Sequence, residues 1–355
     1  QYSYRLFQIL VNSLYLWYSK KMLKNLITVK FFIFLMVLPS SLFADNSEFN
    51  LWIDNFKKKA ISSGISKNVV NEVMSNAKFL PKVIEYDRYQ PEFYEDTYTY
   101  IKKRTNTKKV KRGLALYKKE KDLIDQVDKK FSVEKELLLA LMGIETNFGK
   151  YLGKMDIISS LATLSFDTRR SEFFTDELLI LLKLIEKGVI EKDILFGSWA
   201  GAFGNFQFMP RTIKNYAIDY NNNQIIELKN AEDSFASAAN YLNKIGWEKN
   251  TPCYTKIELN DNIPKKYLNS SAREIKNKKK VKFFKKFIKN PEKLSLNNNL
   301  VSAVITPDKD IIPGSNTYAP AYLIYSNYEK ILNWNRSLRF ALAVCTLKDN
   351  FKNEL

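Results

Sequence analysis

The chain contains no histidine in 355 residues. That absence excludes Ser-His-Asp and Cys-His catalysis, His-ligated zinc and imidazole general bases. Acid–base chemistry falls to Glu, Asp, Lys or Tyr. Cysteine is nearly absent too: Cys253 and Cys345 are the 2 present, too few for a Cys-rich zinc site or a disulfide scaffold. They allow one disulfide at most and do not by themselves fix a redox compartment. Acidic residues are the minority sign, 38 against 56 Lys and Arg, for a formal charge of +18. Glycine is sparse at 11 residues, yet Gly143, Gly149 and Gly153 fall in one short window and Gly197, Gly201 and Gly204 in another. Glycine serves where the backbone needs φ > 0 or a close approach, so the two windows are expected to converge on one cleft.

The N-terminus reads as an address. From Met22 the sequence runs "MLKNLITVKFFIFLMVLPSSLFADN", with Lys24 and Lys30 ahead of an apolar stretch from Phe31 to Leu38 and mostly small residues from Ser40 to Ala44. This is a secretory signal pattern with cleavage expected after Ala44, residues 1–21 being upstream read-through. An uncleaved N-terminal anchor is the alternative, although the apolar stretch is shorter than the ~20 residues of a span. No cysteine follows the stretch, which argues against a lipid anchor there. Residues 1–44 carry five Lys or Arg and no acid, leaving +13 for the exported part. A basic exported protein suits an anionic partner such as cell wall. The lysines are dispersed or gathered in one run, Lys276 to Lys286, without a nucleic-acid motif, so no nucleic-acid partner is expected.

Residues 47–130 read as helical: Phe49, Leu51, Trp52, Phe56 and Ala60 recur at helical spacing, Gly64 ends the pattern and Ser66 opens the next helix. "DRYQPEFYED" interrupts them, and a basic helical stretch covers 107–130. An apolar helix follows from Val133 to Gly149, with Ser132 expected as its N-cap. Further helices are expected at 172–187, 210–217 and 231–245. Residues 251–315 change to β-leaning composition, "CYTKIEL" and "NNLVSAVITPD" flanking the Lys-rich run, which predicts a small strand-containing subdomain. From "TYAPAYLIYSNYEKILNWNRSLRFALAV" onward the spacing returns to helix. The division expected is 1–44 leader, 45–130 helical N-terminal part, 131–250 catalytic core, 251–315 small β-containing subdomain and 316–355 C-terminal helices rejoining the core.

Within "ELLLALMGIETNFGKYLGK", Glu145 follows a run almost free of polar atoms, and helical steps of three, four and seven back from it land on Met142, Leu141 and Leu138. A desolvated carboxyl there would have a raised pKa and stay protonated near neutrality, as a general acid requires; the plain alternative is a buried ion pair. The second window, "GSWAGAFGNFQFMP", interleaves Trp199, Phe203, Phe206 and Phe208 with Asn205 and Gln207. Flat aromatics beside amides suit sugar rings, and a packed core turn is the competing account.

These stretches, with "LATLSFDTRRSEFF", "AIDYNNNQIIELKNAEDSFASAANYL", "IGW", "DRYQPEF" and "NWNRSLRFALAV", closely resemble in order and spacing the membrane-bound lytic murein transglycosylase B family, glycoside hydrolase family 103, over roughly residues 47–348. The resemblance implies an α+β, mainly helical fold with a lysozyme-like catalytic core. The implied activity is cleavage of the β-1,4 bond between N-acetylmuramic acid and N-acetylglucosamine in peptidoglycan, leaving 1,6-anhydromuramic acid ends. It implies Glu145 as the single catalytic acid/base, with Asp156 and Asp167 read as structural. It also carries over Ser198 and Gln207 as cleft residues, Arg169 and Arg170 for muropeptide carboxylates or glycan, Tyr241 as a sugar-facing aromatic and Asn335 as a further substrate contact. A hydrolytic muramidase and a non-catalytic peptidoglycan-binding protein are the alternatives. Peptidoglycan glycan strands are the expected partner, with other cell-wall enzymes as further candidates, in a periplasmic or cell-envelope setting. No cofactor is required. "DYNNNQIIELKNAED" resembles the family's EF-hand-like loop, which would offer a structural Ca2+ or Na+ the oxygens of Asp219, Asn221, Asn223, Ile225 and Asp233. Gln224 replaces the usual glycine and Asn230 the usual Glu, so weak binding or none is expected; an Asn-rich turn is the other reading.

Overall fold

The computed structural model describes residues 40–190, 195–294, 297–309 and 311–355. The apolar stretch of the expected leader lies outside the described residues. Two compact units divide the chain, residues up to Lys59 and Ala60–Leu355. The described part of the first belongs to helix α1 (Ser40–Ser62). Trp52 there stacks on Phe49 at 6.0 Å and on Phe56 at 5.3 Å, the i, i+3 and i, i+4 pairs that the spacing encodes.

The second unit opens with Gly64 at φ +86° and Ser66, which caps α2 (Lys67–Met74) as expected. There follow α3 (Pro81–Arg88), α4 (Thr97–Arg104), α5 (Thr107–Lys119), α6 (Lys121–Phe131) and α7 (Lys135–Thr146). The basic stretch read as one helix is two, because Glu120 leaves helical geometry at ψ 26° between α5 and α6. Ser132 is not the N-cap of α7. It takes the left-handed position that ends α6, and α7 starts after Glu134, which has extended dihedrals. The Glu134 carboxylate is instead buried against the Trp247 indole N–H, 2.6 Å away. α7 is apolar on nearly every side, with Leu137 through Met142 all buried, so it must be surrounded rather than surface-lying.

Next come β1 (Met155–Asp156), α8 (Ile157–Phe166), α9 (Ser171–Glu186), β2 (Phe196–Gly197), α10 (Pro210–Tyr216) and α11 (Ala231–Lys244). β1 and β2 pair antiparallel, Met155 opposite Gly197, which ties together the two glycine windows. The subdomain expected in 251–315 contains β3 (Tyr254–Ile257), β4 (Leu268–Asn269), β5 (Lys279–Lys280), the short α12 (Val281–Phe284) and β6 (Val301–Ile305). Its sheet gains a strand that the sequence reading placed in a helix: β7 (Ala321–Ile324) lies between β3 and β6, antiparallel to both. "AYLI" is a short buried apolar run, the kind whose period does not separate strand from helix, and two waiting strand edges decide it. α13 (Ser326–Trp334) and α14 (Leu338–Lys352) complete the unit, α14 packing along α7.

Two covalent or ionic ties hold the sheet to the helices. Cys253, just before β3, forms a disulfide with Cys345 of α14. Asp308 accepts from the Thr97 N–H and hydroxyl at 3.0 and 2.5 Å and from the Arg339 guanidinium at 2.8 Å, pinning α4 and α14 to the loop after β6. Among the described residues, no helix is long and apolar enough to cross a membrane.

Candidate active site

Glu145 stands in the last turn of α7, half-buried, where the apolar helix meets solvent. The helix stops there because Asn147, Phe148 and Gly149 adopt left-handed conformations in succession, φ 52°, 62° and 76°. Thr146 fixes this turn from beneath. Its buried hydroxyl donates to the Asn205 carbonyl at 2.8 Å and accepts from the Gly149 N–H at 3.0 Å. The Asn205 amide in turn donates to the Lys229 carbonyl and the Ser234 hydroxyl. The second window is thereby held against the first.

The Trp334 indole N–H donates to Glu145 Oε1 at 2.9 Å, from 189 residues away in sequence. Trp334 is the end of an aromatic stack: Tyr241 lies nearly parallel to it at 5.0 Å and to Tyr216 at 4.3 Å, with Phe208 edge-on at 5.4 Å from Trp334. An indole clamped in this way has little freedom to swing, so the carboxylate it touches is held in one orientation. Tyr241 differs from the expected sugar-facing ring. It is 9% exposed, its ring contacts Tyr216 and Trp334, and its hydroxyl donates to the Asn333 carbonyl at 3.0 Å. Burial pushes that phenol up to about 12, so it stays a donor.

A cleft of about 420 Å³ opens beside Glu145. It is less apolar than the sequence around Glu145 suggests: Lys103, Lys108, Lys109, Arg112 and Lys150 line it, and Glu145 is the one acid among its lining residues. Lys109 Nζ donates to the Gly143 carbonyl at 2.6 Å, satisfying an acceptor near the end of α7. Burial, reinforced by Arg104 and Arg112, pulls the Lys109 ammonium down to about 8.

Of the other expected site residues, Ser198 and Gln207 work on the loop itself. Ser198 Oγ accepts the Ala200 and Ala202 N–H groups at 3.3 and 3.0 Å. Gln207, at φ 51°, donates to the Gly204 and Leu152 carbonyls at 2.9 and 3.3 Å, joining the two windows. Arg169 and Arg170 both bind the carboxylate of Asp87, whose side chain is 1% exposed. Their guanidinium groups remain partly open, but their ionic partner is this aspartate of the "DRYQPEF" motif. Asp167 pairs with Arg88 at 2.7 Å and Asp156 caps α8 through the Ser159 N–H at 2.6 Å, the structural tasks expected of both. Asn335 directly follows Trp334, its N–H donating to the Ile331 carbonyl at 3.0 Å.

The EF-hand-like loop closes on its own amides. Asp219 accepts from the Asn223 and Gln224 N–H groups at 3.1 and 2.7 Å, and Asn223 Oδ1 from the Ile225 N–H at 3.0 Å. Gln224 sits at φ 73°, the left-handed position a glycine would fill without strain. Asp233, fully buried, spends one oxygen on the Tyr220 N–H and the other on the Glu227 N–H, both at 2.8 Å. It therefore ties the two ends of the loop. Among the described residues no group of three or more acidic or thiol side chains is gathered to hold a metal.

The residues that sequence reading did not single out are Trp334, Lys109 and Asp87. Trp334 and Asp87 stand inside recognised motifs, but only the folded chain shows what each one touches.

A mainly helical α+β frame, with a glutamate at the end of its central apolar helix and an aromatic stack beside it, places the chain in the lysozyme-like class. Residues 48–349 match the Transglycosylase SLT domain, and the chain belongs to that family. It is 31% identical over 217 residues to membrane-bound lytic murein transglycosylase B of Escherichia coli strain K12, 58% of this chain and 59% of that protein. SltB3 from Pseudomonas aeruginosa, solved in complex with NAG-anhNAM-pentapeptide, superposes with a TM-score of 0.74 at 30% identity, over 86% of this chain and 79% of that one. Escherichia coli Slt35, solved in complex with calcium, gives a TM-score of 0.69 at 26% identity, over 88% and 95%.

Proposed function

We propose that the protein is a lytic transglycosylase that cleaves the β-1,4 bond between N-acetylmuramic acid and N-acetylglucosamine in peptidoglycan, with Glu145 as its single acid/base and 1,6-anhydromuramic acid as the new end. The observation that carries this reading is a lone carboxylate: Glu145 is oriented by Trp334, and no second acid lines its cleft. Hydrolysis through paired carboxylates needs a partner about 5 to 9.5 Å away. A nucleophile supplied by the substrate does not.

In the proposed step Glu145 gives its proton to the glycosidic oxygen as the C1–O bond breaks, and N-acetylglucosamine leaves with a free 4-hydroxyl. The muramyl C6 hydroxyl then bonds to C1, and its proton returns to the Glu145 carboxylate, so no water is consumed. A bound sugar displaces water from the cleft, a setting that strengthens every interaction Glu145 makes with the reacting oxygens. The Trp334 contact fixes the carboxyl through Oε1, in the orientation from which it would meet the glycosidic oxygen.

Mass spectrometry of muropeptides released from sacculi tests the proposal. Anhydro ends, lighter than reducing ends by one water, are expected; reducing ends alone would establish the muramidase reading in its place. The relatives named murein transglycosylase and crystallised with a muropeptide support the substrate class. Export to the cell envelope is part of the same proposal, supported by the Cys253–Cys345 disulfide, a bond that persists in oxidising compartments.

Weak cation binding or none is expected in the 219–233 loop, because Gln224 and Asn230 stand where an EF-hand has glycine and glutamate. Chelation, or addition of about 1 mM Ca2+, is expected to move Tm by less than about 1 °C. A calcium-dependent rise of several degrees would show the loop to be a binding site.

A further inference from the structure

A second groove, of about 570 Å³, lies between the sheet and α13. Six charged side chains line it, and they do not balance. Lys278 is neutralised by Glu329 at 2.6 Å, and Glu274 by Lys276 at 2.9 Å. Arg273, Lys330 and Arg336 have no ion-pair partner among the described residues, so three positive charges face the groove with both acids already satisfied. Ile275, Leu332 and Val301 give it an apolar lining, and Val301 is 54% exposed. Cationic walls on an apolar floor fit an extended peptide that carries aliphatic side chains and more than one carboxylate.

The groove's place in the fold narrows the occupant. Asn333 and Arg336 both border it, and each lies within two residues of Trp334, the residue that holds Glu145. Two residues of extended chain span about 7 Å, and a peptide of five residues reaches about 17 Å. A peptide leaving a sugar at Glu145 is long enough to enter. The arginines that motif resemblance assigns to muropeptide carboxylates are, in the folded chain, bound to Asp87. Arg273, Lys330 and Arg336 are available for that task.

We propose that the groove between the sheet and α13 binds the carboxylate-bearing peptide stem of the muramyl residue seated at Glu145. This rests on the peptidoglycan reading, and it makes the groove a specificity element rather than part of the bond-breaking step. A nucleic acid or other long polyanion would want a continuous basic face without an apolar floor.

The test compares glycan strands that keep their stems with the same strands after amidase has removed them, using the wild-type chain and the combined variant Arg273→Gln, Lys330→Gln, Arg336→Gln. Thermal melts confirm that the variant folds. On stem-bearing strands the variant is expected to raise KM about tenfold with kcat unchanged, as expected for loss of uniform binding. On stem-free strands it should match the wild type. An equal change on both substrates, or on neither, overturns the proposal. If the wild type cleaves neither, the activity reading falls, and binding of free stem pentapeptide to the Glu145→Gln protein decides the groove separately. Binding that disappears when the three charges are neutralised supports it. No binding, or binding the charges do not affect, or equal binding of an unrelated acidic peptide, refutes it.

Discussion

Glu145→Gln is expected to lower glycan cleavage by about a thousandfold or more while leaving the fold and the strand affinity intact. The amide is nearly isosteric with the carboxyl and its oxygen still accepts from the Trp334 indole N–H, which lies 2.9 Å from Oε1 in the native chain. What it cannot do is release a proton to the leaving oxygen. General acid–base catalysis contributes roughly 10² to 10⁴ in rate, and here one group is asked to serve as both acid and base, so the loss sits toward the upper end. No other acid lines the cleft to take over. Digestion of purified sacculi by the two proteins at equal concentration gives the answer. Activity within about tenfold of the wild type would remove Glu145 from the mechanism, whereas inactivity of both proteins would favour the non-catalytic alternative.

The parts of this molecule that were legible in sequence are those carried by local period. α7 is apolar at nearly every position and its helix is evident from Leu137 to Ile144 alone; Gly64 and Ser66 mark a helix boundary by chemistry that acts within three residues. The site was legible in one half only. Glu145 announces itself because a carboxylate following an apolar run is costly, whereas Trp334 gives no such signal from 189 residues away. Strand β7 was misread for a similar reason. "AYLI" has no strong period, and its state is set by β3 and β6, which flank it only after folding. Motif similarity named Arg169 and Arg170 but not the buried Asp87 that binds them both, since a shared ionic partner leaves no trace in spacing.

Gly153→Ala is expected to cost roughly 3 to 4 kcal/mol and lower Tm by about 10 °C. Two effects add at this position. Gly153 has φ +88°, which an alanine adopts only with strain of about 1 to 2 kcal/mol. An added Cβ would also stand 1.9 Å from the Gly197 carbonyl oxygen and 2.6 Å from the Ser198 nitrogen. These are backbone atoms, fixed by the Met155–Gly197 strand pair and by the Ser198 N–H donating to the Ala202 carbonyl at 2.8 Å, so neither side can yield cheaply. Gly188→Ala separates the two effects, because Gly188 has φ +66° and nothing within 4 Å of its would-be Cβ. It should lose only the strain, about 1 to 2 kcal/mol. The difference between the two melts then measures how tightly the glycine windows close. Because Ser198 and the Gln207–Leu152 contact lie on this closure, the Gly153 variant should also lose cleavage at temperatures where it is still folded. Equal melts for the two variants would mean that the windows give way without cost and that the cleft beside Glu145 does not depend on their approach.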